Sequence, residues 1–305
     1  DQKGLYDISL QQIIFEDSAS TIRLKEFKIK PLLNKRKFAA IHPYQSDRFD
    51  GKVKEIIISN LDIDRLLSEE VIAIEKIQIS DADMELFRDK NRPFNYNNFP
   101  KLPQEALRNL KQVIEIDEIE ISSSNIIYSE TAEGAEVAGK VAFKDIQAKF
   151  ENMGNSKEWQ NAKSMVINVQ AKAFGKGPLH AQFYFPLNSN TFQFNGKLGK
   201  TKMSAFNDMT IHGAGIKITD GSIKEMSFDI TANNQSSHGS LELYYDDLEV
   251  SILKEKQEDG HTIEKERKFF NFVANKVVLP VQNPNKKGSF YSATVAFDRD
   301  INKSI

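Results

Sequence analysis

Three pairs of aspartates are spaced so that both carboxylates of a pair could act on one ligand. They are Asp62 and Asp64, Asp81 and Asp83, and Asp298 and Asp300. On a β-strand, residues two apart point to the same side, as a glycosidase or a calcium site would require. No pair is accompanied by the further ligands of a calcium-binding loop. The spacing therefore favours solvated strand faces or turns over a catalytic or metal site.

The histidine spacing and the search for nucleophile motifs also argue against a catalytic or metal site. The five histidines lack the HxH or HExxH spacing of a metal site: His42, His180, His212, His238 and His261. No GxSxG motif is present. The glycine-rich stretch HGAGIKITDG is followed by a strand pattern rather than a helix, which disfavours a phosphate-binding loop. We therefore predict that the protein is not an enzyme and has no catalytic residues, metal ligands or cofactor.

Composition narrows the possible partners. The chain has 305 residues, a formal net charge of -2 and no cysteine, so it has no overall attraction for nucleic acid and no disulfide. No apolar run approaches the roughly 20 residues that span a bilayer. The first residues, DQKGLYDISL, lack the features of a signal peptide. Either the chain is cytosolic, or a targeting segment was removed or left out.

Apolar side chains are the remaining candidates for a binding site. Phe183 and Phe185 alternate on one strand pattern, Phe192 and Phe194 alternate on the next, and the turn PLNSN predicts a hairpin that pairs them. A second candidate surface lies at Ile119 and Ile121, where an apolar alternation restarts out of phase with Ile116. These side chains belong either to a closed core or to a groove that accepts acyl chains.

The elements that carry these side chains are predicted to be strands almost throughout. Apolar residues recur at every second position, with Lys, Glu, Asp, Gln, Asn and Ser between them, as in GSLELYYDDLEV. One apolar and one polar face is typical of antiparallel sheets. Helix signals are few and short, and lie in KLPQEALRNLKQV, NSKEWQNA and KMSAFNDM. The sequence predicts a mainly β protein.

Several strand patterns change phase once, which predicts bends in the sheet. Ile116 gives way to Ile119, Phe143 to Ile146, and Tyr245 to Leu248. A strand that keeps one face inward across such a slip needs a bulge or a tight turn. A strongly curved sheet can cover its apolar face as a sandwich, as a closed barrel, or as a trough filled by a ligand, and the pattern alone leaves all three open.

Two irregular stretches and a weak repeat organise the chain. Residues 31–52 read as a long surface loop, and residues 88–104, with three prolines and four asparagines, read as a hinge. We predict an N-terminal β segment over residues 1–100 and a larger C-terminal sheet over residues 101–305. EKIQISDADMELF, DEIEISSSNIIYS and GAGIKITDGSIKEMSF share one plan, which suggests a reused strand-turn-strand unit.

The same stretches resemble the AsmA-like (AsmA/TamB-related) family of bacterial envelope proteins. The resemblance is carried by EKIQISDADMELFRDKNRPFNYNNFPKL, IDEIEISSSNIIYSETAEG and KVAFKDIQAKFENM, and later by GAGIKITDG and GSLELYYDDLEV, over about residues 53–297. The membrane anchor usual at the family's N-terminus is missing, and the chain stops at DRDINKSI, where relatives tend to continue.

The resemblance implies a fold and a function. The fold is an elongated, strongly twisted antiparallel sheet curled into a groove, like a taco, with a few short helices. The function is binding or conducting phospholipid or other acyl chains along that groove in the periplasm of a diderm bacterium, for outer membrane biogenesis. The full-length protein would be tethered to the inner membrane and could bind an envelope protein. The alternative is a closed β-sandwich adaptor that binds protein or polysaccharide.

Overall fold

The chain folds into one large open β-sheet, seen in a computed structural model that describes residues 4–16, 20–253 and 280–302. The prediction of a mainly β, curled sheet with a few short helices is confirmed. The strands are β1 (Tyr6–Glu16), β2 (Thr21–Pro31), β3 (Asp47–Leu61), β4 (Val71–Asp89), β5 (Val113–Thr131), β6 (Gly139–Gly154), β7 (Ser164–Ala173), β8 (Gly177–Pro186), β9 (Phe192–Leu198), β10 (Thr201–Lys202), β11 (Ile216–Ala232), β12 (Ser236–Ile252) and β13 (Ala293–Asp298).

Strand order follows chain order almost without exception. The sheet has 13 strands and runs from β1 to β9 and then through β11, β12 and β13, while β10 pairs beside β11. Within the described residues β1 and β13 do not pair with each other, so the sheet is open rather than a sandwich or a closed barrel. Because each hairpin simply adds to the growing edge, most of the pairing is local in sequence.

One pair of strands departs from the predicted antiparallel arrangement. β4 and β5 are parallel, with Ile77 opposite Ile119 and Ile79 opposite Ile121. Parallel neighbours need a long return connection, and residues 90–112 supply it. The stretch predicted as a hinge is the first part of this crossover, and the sheet continues across it through β4 and β5. The division at residue 100 stays a prediction.

The helices are short and lie between strands. They are α1 (Lys35–Ala40), α2 (Ile63–Glu69), α3 (Pro103–Arg108), α4 (Lys157–Ala162) and α5 (Asn207–Ala214), with a 3-10 turn at Met203–Phe206. The side chains of Asn34, Asp62 and Ser156 accept hydrogen bonds from the first turns of α1, α2 and α4, as good N-caps do.

The predicted helices are present where the sequence indicated them, but α1 and α2 were not predicted. All three predicted stretches contain a helix, although α3 ends at Arg108 and Val113 already belongs to β5. The prediction of a loop over residues 31–52 was wrong, because Asn34 starts α1 and β3 begins at Asp47. Phe38 and Ala39 of α1 are buried, so tertiary packing stabilises a helix too short to be stable alone.

The predicted phase slips coincide with interruptions of the strand pairing, and these interruptions line up across neighbouring strands. The register is unchanged from β1 to β5 and places Gln11, Glu26, Lys54, Asp81 and Ser123 opposite one another, while register shifts that mark bulges occur between β5 and β6 and between β6 and β7, next to Asp145. We call this set the bulge line. Its members Glu26, Asp81, Ser123 and Asp145 have φ of 54, 53, 50 and 52°. A bulge bends its strand and increases its twist, so aligned bulges crease the whole sheet.

A second line of interrupted pairing, without a change of register, crosses β3 to β6 nearer their other ends. Asn60, Glu75, Asp117 and Asn152 lie opposite one another, and Asn60 and Asn152 have φ of 55 and 60°. The slip from Ile116 to Ile119 falls here. The slip from Tyr245 to Leu248 contains Asp247, with φ of 55°. Each strand thus keeps one apolar face while the sheet curls.

Candidate functional site: an apolar trough

The apolar face carries a continuous row of side chains that runs across the sheet, perpendicular to the strands. Along the strand order from β1 to β13, the register places one residue of each strand directly opposite one residue of the next strand. The row, here called row one, is Phe15, Ile22, Ile58, Ile77, Ile119, Phe150, Ile167, Phe183, Phe194, Ile230, Gly239 and Val295. Apart from Gly239, every member is aliphatic or aromatic. Alternation within each strand creates the face, and register between strands makes it continuous.

A second row lies beside the first, two residues further along each strand. Row two is Ile13, Leu24, Ile56, Ile79, Ile121, Ala148, Val169, Ala181, Gly196, Phe228, Leu241 and Ala293. Its middle members are small. Gly196 is required by a close approach, because a Cβ there would lie 2.6 Å from the Phe228 ring. Rows one and two together form the floor of what we call the trough.

The predicted aromatic hairpin is present. Phe183 lies opposite Phe194, and their ring centroids are 5.9 Å apart with the rings nearly parallel. Phe185 stacks on Phe192 at 5.1 Å. Ile119 and Ile121 lie on the same face, on rows one and two. The structure therefore places all six predicted groove residues on one surface.

Burial divides these six residues into two groups. Phe185 and Phe192 are 4% and 3% exposed, because they pack with Leu102, Leu107 and Trp159 under α3 and α4. Phe183, Phe194, Ile119 and Ile121 are only partly buried. Phe185 and Phe192 therefore belong to a closed core at one rim, while the other four lie on the part of the trough that α3 and α4 leave partly exposed.

The crossover between β4 and β5 lies against the trough at two places. Phe94 and Tyr96 line a cavity of about 610 Å³ together with Leu86, Tyr128 and the ion pair of Arg88 with Asp47. At the other end of the crossover, Arg108 of α3 donates hydrogen bonds to the carbonyls of Leu187 (2.9 Å) and Ser189 (2.8 Å).

The tail after β13 holds the middle of this crossover. Arg299 donates to the carbonyl of Pro100 (2.9 Å), and Asn302 donates to the carbonyls of Tyr96 (2.7 Å) and Asn98 (3.1 Å). The segment that follows β4 therefore contacts the tail that follows β13, the last strand of the sheet. This connection requires the sheet to curl, because β5 and β13 are far apart along the strand order.

The opposite face is polar and is tied together by cross-strand ion pairs. Glu118 receives Lys76 at 2.8 Å and Lys149 at 2.9 Å, and these two lysines lower the pKa of Glu118 from its ordinary 4.5 to about 2. Lys52 pairs with Asp83 and Lys54 with Asp81. A shallow depression of about 740 Å³ on this face is lined by amides such as Gln147, Gln170 and Asn195. These ion pairs lie on the face away from rows one and two, whereas Arg88, Asp47 and Glu130 line the cavity that the crossover covers.

The residues considered for catalysis do not converge. Asp62 caps α2, Asp81 and Asp83 pair with lysines, and Asp300 accepts from the backbone of Asn302. His42 bonds the Phe38 carbonyl and His238 contacts Ser236, while His261 lies outside the described residues. In the described part of the chain no three His, Asp or Glu side chains are grouped as metal ligands. Among those residues, no helix has the length and hydropathy to cross a membrane.

Sequence reasoning identified the six candidate side chains but not the rows that contain them. The alternation of each strand was visible, whereas the register that aligns Ile22, Ile58 and Ile77 with Ile119 depends on pairing between distant segments. The repeat offered a signal that could have revealed it. EKIQISDADMELF and DEIEISSSNIIYS are 42 residues apart, which is the offset of the parallel β4–β5 register.

Comparison with known proteins adds no relative: the chain matches no protein-family model, and no curated protein is similar to it in sequence.

Proposed function

We propose that this chain is a non-enzymatic, AsmA-like lipid-binding module whose trough holds acyl chains. The observation that carries the proposal is the continuity of row one, which crosses the sheet from Phe15 on β1 to Val295 on β13 and contains no charged residue. Its members are mostly half-buried rather than sealed in a core. Exposed apolar surface costs about 25 cal/mol per Å², and an acyl chain would remove that surface from water.

The dimensions suit acyl chains lying end to end. Strands about 4.8 Å apart give a 13-stranded sheet a span of roughly 50 Å along the rows. One leaflet of a bilayer has a hydrocarbon thickness of about 15 Å, half that of the roughly 30 Å core. The trough is therefore long enough for more than one chain, and the floor formed by rows one and two carries no charged residue.

The cellular setting is part of the proposal. Phospholipid is the proposed ligand, the periplasm the proposed location, and a tether to the inner membrane and an envelope protein the proposed attachments. Lipid movement for outer membrane biogenesis is the proposed role. These follow from the resemblance of the repeated strands to AsmA-like proteins. An adaptor that binds protein or polysaccharide is the alternative, and it would leave the trough without lipid.

The test uses lipid extraction and a matched pair of variants on β7. Mass spectrometry of the purified chain should detect bound phospholipid, and a fluorescent acyl probe should bind to the delipidated protein. Ile167 lies on row one and its neighbour Asn168 on the polar face. Ile167→Gln should weaken probe binding several-fold, and Asn168→Gln should not. Absence of lipid and of probe binding would favour the adaptor.

A further inference from the structure

The first strand of the sheet is an edge without the usual protection. β1 has eleven residues, YDISLQQIIFE, and pairs only with β2 within the described part of the chain. Natural edge strands are blunted by lysine, proline, brevity or a bulge, whereas β1 has eleven residues, no lysine or proline, and an unshifted register with β2. Its apolar side chains Ile8, Leu10, Ile13 and Phe15 are exposed, Phe15 at 74%. An edge with this chemistry is a template for another strand.

The apolar positions of β1 are symmetric about the strand's own centre. Ile8 and Leu10 precede Gln11, where the pairing with β2 is interrupted opposite Glu26, and Ile13 and Phe15 follow it. Residues opposite each other in an antiparallel pair share a face, and β2 changes phase at Glu26, whose φ is 54°, so all four side chains lie on the trough face. A strand with this pattern is self-complementary when a second copy runs antiparallel to it. Leu10 then lies opposite Ile13 of the second copy, and Ile8 opposite Phe15 of the second copy.

We propose that two copies of the chain pair through β1, about a two-fold axis perpendicular to the sheet between Gln11 and Gln12. The paired strands would exchange about ten backbone hydrogen bonds. Row one and row two of each copy would continue into apolar residues of the other, so the trough doubles in length. The proposal rests on the edge and its symmetry and does not depend on what the trough binds.

Charge does not oppose this pairing. The register places Asp7 opposite Glu16 of the second copy, but Glu16 already receives Arg23 at 2.8 Å, and Asp7 lies opposite Lys30 on β2. The other edge is a poorer match, because β13 has only six residues. Pairing of β1 with β13 would also leave free edges and grow into open assemblies, whereas the β1 pair closes as a dimer.

Light scattering and sedimentation on the full chain give the first test. We expect a dimer that dissociates on dilution. Leu10→Lys should raise the dissociation constant of this dimer at least tenfold. Phe297→Lys is the matched control, since Phe297 is an exposed apolar residue on the other edge strand. A wild-type chain that stays monomeric at high concentration, a dimer lost only in Phe297→Lys, or an open series of larger species would each overturn the proposal.

Cysteine crosslinking tests the register without relying on a destabilising change. The chain has no cysteine, so single cysteines report only the designed pair. A mixture of Leu10→Cys and Ile13→Cys chains should form a disulfide-linked dimer on mild oxidation. Leu10→Cys alone should not, because its symmetry mate lies about 10 Å away along the strand, beyond disulfide reach. Equal crosslinking of the mixture and of Leu10→Cys alone, or no crosslinking in the mixture, would contradict the β1 pairing.

Discussion

The four phenylalanines of the β8–β9 hairpin look equivalent in the sequence but lie in two environments. Phe192 is 3% exposed beneath α3, whereas Phe194, two residues later on the same strand, is half-buried on the trough floor. An arginine at a sealed position leaves a charge without solvent, which costs several kcal/mol, while one on an open floor reaches water. The difference follows from the position of one short helix that no local pattern specifies.

We expect Phe192→Arg and Phe185→Arg to lose several kcal/mol of unfolding free energy, enough to unfold a marginally stable domain. Phe194→Arg and Phe183→Arg should stay folded with a smaller loss, and should weaken binding of the acyl probe. Urea denaturation and probe titration measure the two effects. Similar destabilisation by all four substitutions would mean that the trough floor is closed.

Glu118 on the polar face allows the contribution of its ion pairs to stability to be measured. Its pKa, lowered to about 2 by Lys76 and Lys149, means that the carboxylate stabilises the fold above its ordinary pKa near 4.5, and that this contribution is lost as pH falls from 4.5 to about 2. The side chain is 25% exposed, so the contribution is about 1 kcal/mol or less. Glu118→Gln should therefore be slightly less stable than wild type at pH 7 and equal to it near pH 2, by urea midpoints. A constant difference across that range would exclude the ion pairs as its cause.

At the scale of elements, the bulges were predictable and the helices and parallel pair were not. A phase slip such as Phe143 to Ile146 is visible in the sequence because alternation is local. α1 and α2 were not predicted, because helices of six or seven residues show little periodicity in the sequence. Their N-caps, Asn34 and Asp62, were the remaining indication of a helix. The parallel pairing of β4 and β5 depends on where residues 90–112 dock, which is a tertiary contact.

The bulge line makes a prediction about single residues that shape whole strands. Asp145 has φ of 52°, and its side chain is exposed, with one ion pair to Lys172. Asp145→Val should cost about 1–2 kcal/mol, because a β-branched residue resists the left-handed region. Asp145→Gly should be within about 0.5 kcal/mol of wild type, since relief of strain offsets the lost surface pair.

Lys144→Val is the control for this comparison, because it places the same side chain one residue earlier in β6, where the backbone is not left-handed. It should cost little. Equal effects of valine at both positions in thermal denaturation would show that the bulge is not the cause.

At the scale of the whole molecule, the repeat explains why the rows are continuous. Two similar segments offset by 42 residues stack side by side in register, so isoleucines that match in sequence also match in space. The interpretation of the repeat as strand-turn-strand was wrong in one respect, because each copy is a single long strand with a bulge at its polar step, such as Asp81 in β4. Stacking like residues in register makes an apolar face that lengthens with each added strand.

An open, curled sheet of this kind should be larger in solution than a compact domain of equal length. A compact chain of 305 residues has a radius of gyration of about 20 Å, which corresponds to a sphere about 50 Å across, whereas the 19-residue strands β4 and β5 extend for about 60 Å along their length. Small-angle X-ray scattering should be recorded on Leu10→Lys, so that any dimer formed through β1 does not inflate the result. We expect a distance distribution with a tail characteristic of an elongated particle. A symmetric distribution with a radius near 20 Å would mean that the sheet closes on itself, and a closed sheet would seal row one from any acyl chain.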